Sequence, residues 1–242
     1  MRKFPASLAG GALCLLAGSY FAFAQTPAQQ HPMTFFLTST GVPGGANFGG
    51  LAGADAHCQE LAAAAGAGNH IWHAYLSAQA RPSSPAINAR DRIGAGPWYN
   101  AHGVMIAKDV AELHGDNNLH KETVLTEKGA MNPGRGDPED PEDKTWAYMQ
   151  GHPGSIRHEI LTGSTAEGRA FTDGRDHTCN NWTSEEDGNS PARARFNTGP
   201  GAEIGKSDNT GPWNSQGISG GCSHVALARS HGAGLNYCFA ID

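Results

Sequence analysis

Residues 49–68 read GGLAGADAHCQELAAAAGAG, and this stretch contains the most clearly marked helix of the chain. Its alanine, leucine, glutamate and glutamine residues favour a helix, and the glycines at 66 and 68 end it. We expect a helix over residues 54–65, with Asp55 in its first turn and Cys58, Leu61 and Ala65 on one face. No other segment is marked as a helix so clearly.

Short apolar segments on either side of this helix are typical of strands. They are residues 33–39 (MTFFLTS), 71–77 (IWHAYLS), 159–163 (EILTG), 169–172 (RAFT) and 234–241 (GLNYCFAI). Residues 104–113 are apolar but fit either kind of element. Glycine is abundant, with 33 residues beside 14 prolines. The pattern therefore predicts a loop-rich fold with few helices.

The N-terminal segment has the pattern of a secretory signal peptide. Arg2 and Lys3 precede an apolar run that is too short to span a bilayer, and residues 22–24 (AFA) resemble a cleavage site. We expect cleavage near Ala24 and a secreted or periplasmic protein without a transmembrane segment. Residues 25–32 would form a flexible lead-in, and residues 33–242 a single domain with an acidic, proline-rich insertion at 131–144.

The charge of the chain argues against nucleic acid as a partner. The full chain has 17 basic and 23 acidic residues, a net charge of −6. Both basic residues of the signal peptide would leave with it, so the exported chain would carry −8. Binding to phosphates needs a clustered basic face, which this composition does not favour.

Four cysteines remain after cleavage, and an even number in an exported protein indicates two disulfides. They are Cys58, Cys179, Cys222 and Cys238. The sequence alone leaves three pairings open. No pair has the close spacing of a zinc site.

An ordered set of motifs resembles one known family. The set comprises residues 49–58 (GGLAGADAHC), 72–77 (WHAYLS), 161–164 (LTGS), 179–185 (CNNWTSE), 222–223 (CS) and 237–240 (YCFA). In this order the motifs are similar to the C-type-lectin-like fold, in the branch of endostatin and bacterial secreted lectin-like proteins. The resemblance covers roughly residues 33–242, with 78–157 matched loosely. It implies an α+β fold of antiparallel sheets with one or two helices, and nested disulfides Cys58–Cys238 and Cys179–Cys222.

The same resemblance implies a carbohydrate site on the long loops. Calcium-dependent members have a Trp-Asn-Asp triplet before the third cysteine, and the matching triplet here is Trp213, Asn214 and Ser215. Because the carboxylate is replaced and the Glu-Pro-Asn triplet is absent, we expect no cofactor, and in particular a sugar site without calcium. Asn180, Asn181 and Trp182 would complete it, since tryptophan stacks on sugars and amides bind hydroxyls.

Other interpretations of these loops stay open. The tryptophans could be core residues and the asparagines turn residues. Glu185, Glu186 and Asp187 could bind a divalent metal, or could be a solvated loop. Arginines 169, 175, 193 and 195 suit an anionic glycan. The partner would then be a polyanion or metal, and a third possibility is an adhesion or structural module that binds a cell-envelope protein.

We expect no enzymatic activity, because the chain lacks the usual catalytic motifs. It has no G-x-S-x-G, no H-E-x-x-H and no phosphate-binding loop. His70 and His73 lie beside or within a strand, where residues three apart face opposite ways. All four cysteines are expected in disulfides, so no thiol nucleophile remains. The sequence therefore predicts an exported, non-catalytic protein whose partner is a glycan or polysaccharide.

Overall fold

The computed structural model describes residues 31–134, 157–187 and 201–242. In these ranges the regular elements are short and separated by long loops. They are β1 (Phe35–Leu37), α1 (Leu51–Ala64), β2 (Trp72–Ala74), β3 (Trp98–Tyr99), β4 (Met105–Ala107), α2 (Val110–Leu113), β5 (Glu159–Leu161), β6 (Glu203–Lys206), β7 (Gly217–Ile218), α3 (His224–Arg229) and β8 (Gly232–Ala240). The predicted α+β class, loop-rich and with few helices, is confirmed.

The nine-residue strand β8 organises the main sheet, whose order is β1-β8-β5-β6-β7. Its C-terminal half pairs with both β1 and β2 in antiparallel register, so that Cys238 lies opposite Phe36 and Ala74. Its N-terminal half pairs with β5 in parallel. The first and last strands of the chain therefore pair, and the expectation of antiparallel sheets needs one correction, because β5 and β8 are parallel. β3 and β4 form a separate two-stranded sheet.

Both faces of this sheet are buried, each against its own apolar cluster. Successive side chains of a strand point to opposite faces, so neighbouring residues of β1 and β8 enter different clusters. Phe36, Cys238 and Ala240 join the side chains of α1 and β2. Phe35, Tyr237 and Phe239 join Trp98, Ile106 and Ile160 on the other face. β1 and the last four residues of β8 (237–240) are therefore apolar on both faces and do not alternate with polar residues.

Helix α1 packs on the first of these faces. It starts three residues before the predicted boundary, and its buried residues are Ala54, Cys58 and Ala62. Ala65 is exposed, so the buried face lies slightly to one side of the predicted one. Gly53 permits the close start of the helix, since a Cβ there would lie 1.8 Å from the Phe48 carbonyl oxygen.

Two disulfides close the fold, and both have the pairing that the resemblance implies. Cys58 of α1 is bonded to Cys238 of β8, and Cys179 to Cys222. Their Cα atoms are 5.7 Å apart in each case, inside the usual range for a disulfide. The first links the helix to the central strand, and the second lies within the long loops. Disulfides of this kind are typical of proteins from an oxidising compartment.

Four predicted segments differ from the elements found. Of residues 33–39 only 35–37 form a strand, and of residues 71–77 only 72–74. The ambiguous residues 104–113 contain both β4 and α2. Residues 169–172 form no strand, because side chains bind their backbone: Asn88 Oδ1 accepts from Ala170 N, and Gln79 Nε2 donates to the Phe171 carbonyl.

Several predictions fall on residues outside the described ranges. These are the signal peptide at 1–24, residues 25–30 of the lead-in, residues 135–144 of the insertion, Arg193 and Arg195. Among the residues that the structure does describe, no helix has the length and apolar character needed to cross a membrane.

Candidate functional site

Residues Cys179–Trp182 form a left-handed turn at the centre of the loops. All four have positive φ, at 48°, 55°, 54° and 66°. An L-residue in this conformation costs roughly 1–2 kcal/mol, somewhat less for asparagine. The disulfide to Cys222 fixes the first residue, and the Thr178 hydroxyl accepts a hydrogen bond from Asn181 N at 3.1 Å. The chain thus holds a costly conformation at this position.

Trp182 anchors the turn in the core. Its side chain has no exposed surface, and its indole Nε1 donates to the Ser77 carbonyl at 2.8 Å. Its ring meets Phe48 edge-on. The structure therefore places Trp182 in the core, with no exposed ring surface on which a sugar could stack. Of the two interpretations, the structure shows the core residue.

Asn181 imitates a backbone strand partner. Its Oδ1 accepts from Gln79 N at 2.8 Å, and its Nδ2 donates to the Gln79 carbonyl at 2.9 Å. The carboxamide thereby satisfies both backbone groups of one residue. The structure thus gives Asn181 a structural role, because both polar atoms of the carboxamide that was predicted to bind sugar hydroxyls are bound to the Gln79 backbone.

The side chain of Gln79 fixes the loop that precedes the turn. Its Nε2 donates to the carbonyls of Phe171 and Arg175, at 3.4 and 2.7 Å. Its Oε1 accepts from His177 N at 2.7 Å. This largely buried amide thus sets the path of residues 171–177. A glutamine in a polar stretch gives no sequence signal for such a role, so the sequence analysis missed it.

His177 lies buried between two carboxylates. Its Nε2 is 3.1 Å from both oxygens of Asp173, and its Nδ1 is 3.4 Å from Glu203 Oε2. The ring stacks on Phe171, with centroids 3.8 Å apart and planes 4° from parallel. The arrangement joins the loop 171–177 to strand β6. Among the residues with possible functional roles, His177 and Phe171 were both missed.

The two carboxylates have opposite pKa shifts, which follow from their surroundings. Although partial burial raises it, hydrogen bonds from His177 and from the backbone and side chain of Arg175 lower the pKa of Asp173 to about 2. Burial raises the pKa of Glu203, against hydrogen bonds from Ser215 and His177. Asp173 is therefore ionised at any ordinary pH.

The outer surface of this network combines an aromatic ring with polar side chains, and we call it the Phe171 face. It comprises Phe171, which is partly exposed, together with exposed Asn180 and Arg81. Since His177 covers one face of the Phe171 ring, the exposed part is its other face or edge. Arg81 Nη2 donates to Asn180 Oδ1 at 3.0 Å, which orients both groups. Of the predicted sugar ligands, Asn180 alone lies here.

The predicted triplet at 213–215 lies in a separate and more buried position. Asn214 is 2% exposed, and its Nδ2 donates to the Tyr75 hydroxyl at 3.0 Å and to the Thr165 and Ala166 carbonyls. The structure thus places this predicted sugar ligand in a covered position, with its Nδ2 already bound to protein acceptors. Trp213 is half-buried, and its ring contacts those of Tyr75, His114 and Tyr237.

Ser215 connects the triplet to the network around His177. Its hydroxyl donates to Glu203 Oε1 at 3.1 Å, on the carboxylate whose other oxygen faces His177. The six predicted sugar ligands therefore belong to one hydrogen-bonded region, but they do not form one exposed surface. Two are buried, one serves the backbone, and Asn180, Trp213 and Ser215 keep some exposed area.

The acidic run after the turn does not converge on a common point. The Asp187 carboxylate accepts from the Ser223 hydroxyl at 2.8 Å and pairs with Arg229 at 3.5 Å. Glu185 Oε2 lies against Gly44 instead. Within the described ranges, no group of three or more His, Cys, Asp or Glu side chains is arranged to hold a metal. The structure thus does not bring Glu185, Glu186 and Asp187 together as a metal site.

A cleft of about 260 Å³ lies elsewhere, at the end of α1. Its lining includes Met33, residues 65–67, His70 and Glu127, and none of the predicted ligands. Concavity alone does not make it a binding site, and the polar network described above lies outside it.

Comparison with known proteins adds no relationship. A scan against protein-family models and a search of curated proteins found no match to this chain.

Proposed function

We propose that this chain is an exported, non-catalytic glycan-binding protein with a C-type-lectin-like fold of the endostatin-related branch. Three features support this fold assignment. The first and last strands pair, α1 is tied to β8 by Cys58–Cys238, and Cys179–Cys222 lies within the long loops. The two disulfide pairings are those that the sequence resemblance implies.

The Phe171 face is the observation on which the binding function rests. It offers a partly exposed aromatic ring that a buried ring supports from behind, and an amide and a guanidinium that are hydrogen-bonded to each other and belong to the same polar network. Aromatic rings stack on the apolar faces of sugars, and such polar groups bind their hydroxyls. A shallow face of this kind suits part of a polysaccharide better than a small molecule, which needs a concave site.

Calcium is not required in this proposal, because the carboxylates near the face already have protein partners. Asp173 binds His177 and Arg175, while Asp176 accepts from Thr178 N and Asn180 N at 3.0 and 2.7 Å. A calcium ion needs six to eight oxygen ligands. It would have to displace several of these bonds.

The test is a glycan array with purified, oxidised protein, run in calcium and in EDTA. We expect binding in both buffers. Phe171→Ala should weaken binding about tenfold, which is the stacking contribution of one aromatic ring. The matched control is Tyr99→Ala, which removes a partly exposed ring on β3, and it should bind as the wild type does.

Other outcomes would contradict parts of this proposal. Binding lost in EDTA would show that calcium takes part. Loss in Trp213→Ala and not in Phe171→Ala would move the site to the triplet. Salt-sensitive retention on heparin alone would indicate a polyanion, and no binding by a folded sample would favour a cell-envelope protein as the partner.

A further inference from the structure

His177 connects the Phe171 face both to Gln79 and to strand β6 of the sheet. Its backbone N–H donates to Gln79, its ring stacks on Phe171, and its two nitrogens face Asp173 and Glu203. Only 2% of the surface of His177 is exposed to solvent. Any change in its hydrogen bonding therefore acts directly on the ring that a ligand would contact.

The proton count of this ring decides how many of those contacts can form. A neutral imidazole has one N–H, whereas the protonated ring has two. Both nitrogens here lie opposite carboxylate oxygens, which only accept. With one proton fewer, a nitrogen lone pair would face a carboxylate, and the two would repel each other.

The charged groups around the ring come from two segments, the loop 171–177 and strand β6. Asp173 lies on the same loop and is itself paired with Arg175 at 3.0 Å. Glu203 belongs to β6 and also accepts from Ser215, which follows Trp213 and Asn214. Asp176 binds the backbone of the turn that follows. The two carboxylates that touch the ring are thus each held by a second partner, so the histidine is the group whose hydrogen bonding can change.

We infer that His177 is a positioning residue for the proposed glycan site, and that its protonated form holds Phe171 in the binding position. The inference rests on the proposed function. On loss of the proton, the ring can keep only one of its two carboxylate contacts. The loop 171–177 then separates from β6, and the Phe171 face loses its support. Affinity for glycan therefore falls as pH rises.

The experiment follows the ring and the loop first without any glycan. NMR of the His177 ring nitrogens gives the pH interval in which the proton is lost. Hydrogen exchange of residues 171–177 in the same sample, divided by the intrinsic exchange rate at each pH, should show a loss of protection over that interval. A ring with a single N–H at acidic pH, or protection that stays constant while the ring titrates, would overturn the inference. Neither measurement depends on a ligand, so failure of the proposed function would be seen separately.

Glycan affinity is then measured across the same pH interval, with the best ligand from the array. The wild type should lose about tenfold in affinity, the loss expected for one charge-assisted hydrogen bond. Glu203→Gln should hold the affinity within about twofold at high pH, since its amide can donate to the neutral ring. The matched control His120→Gln removes an exposed histidine that is paired with Glu122 and should behave as the wild type. A wild-type profile that does not change with pH, or one that Glu203→Gln leaves unaltered, would also overturn the inference.

Discussion

Two regions of the molecule are held together in different ways. The sheet region, made of α1, β1, β2 and β8, is joined by apolar side chains from both faces of one strand. The loop region, made of residues 79–81, 171–187 and 201–223, is joined by side chains that bind backbone groups. Each contains one disulfide. The difference shows that burial organises the first region and polar satisfaction the second, which leaves polar groups at the surface of the second for recognition.

The largest expected difference between the regions concerns the disulfides. Cys58–Cys238 spans 180 residues and Cys179–Cys222 spans 43. In the chain-entropy model their loss costs about 5 and about 4 kcal/mol respectively. Urea denaturation of the two double Cys→Ala variants measures both values. A greater loss from the inner pair would show that the loop region, and not the sheet, limits stability.

Gln79 and Gln59 allow a comparison of one amide in each region. Gln79→Ala removes the side-chain partner of the Phe171 and Arg175 carbonyls and of the buried His177 N–H, which should cost about 2 kcal/mol. Gln59 binds Trp72 N and the Gly68 carbonyl at the more exposed α1 surface, so Gln59→Ala should cost about 1 kcal/mol. Thermal and urea unfolding give both values. Equal losses would remove the distinction drawn between the regions.

The left-handed turn gives a smaller effect. Asn180 has φ 55°, a conformation that glycine adopts freely and alanine does not. Asn180→Ala should therefore be about 1 kcal/mol less stable than Asn180→Gly. Both variants lose the same side-chain bonds, so the difference isolates the backbone. A less stable glycine variant would mean that the turn is not under the constraint described.

The smallest effect concerns pH and His158, which lies buried between β5 and β6. Its Nδ1 is hydrogen-bonded to Asp208 and its Nε2 contacts Lys206 Nζ at 3.1 Å. Burial lowers the pKa of His158 below its ordinary value of 6.5, although the bond to Asp208 opposes this. The fold therefore prefers the neutral ring. Its contribution is complete above pH 6.5 and is lost as the pH falls towards the lowered pKa.

Unfolding measured from neutral to mildly acidic pH tests this sign. The wild type should lose stability as the pH falls, and His158→Gln should lose less. His120→Gln, at an exposed position, serves as the control and should follow the wild type. A steeper loss in His158→Gln would contradict the assigned direction.

The sheet region could be predicted from the sequence because its signals are local. The alanine-rich composition of residues 54–65 predicts a helix, and the apolar composition of residues 234–241 predicts a strand. The disulfide pairing came from the resemblance, since four cysteines alone leave three choices. The boundaries shifted by a few residues because strand ends are set by their partners.

The loop region could not be predicted in the same way. Asn181 and Gln79 are 102 residues apart in the chain, and they meet because the Asn181 side chain is hydrogen-bonded to the Gln79 backbone. Nothing in their local sequence indicates this. Trp182 was a candidate ligand because tryptophan in a polar loop suits sugars and cores equally, and only its burial decides. Residues 169–172, which include Phe171, predict a strand, because their local sequence does not show the side-chain bonds that hold this loop.

The position of β8 in the chain has a consequence for how fast the protein can fold. Its partners β1, β2 and β5 all precede it, and Phe35 pairs with Phe239. At a synthesis rate of about 5–20 residues per second, β1 is made about 10–40 s before its partner. Such a high contact order also makes folding slow. During that interval β1, and β2 once it is made, have no β8 to pair with, so the emerging chain needs protection from aggregation.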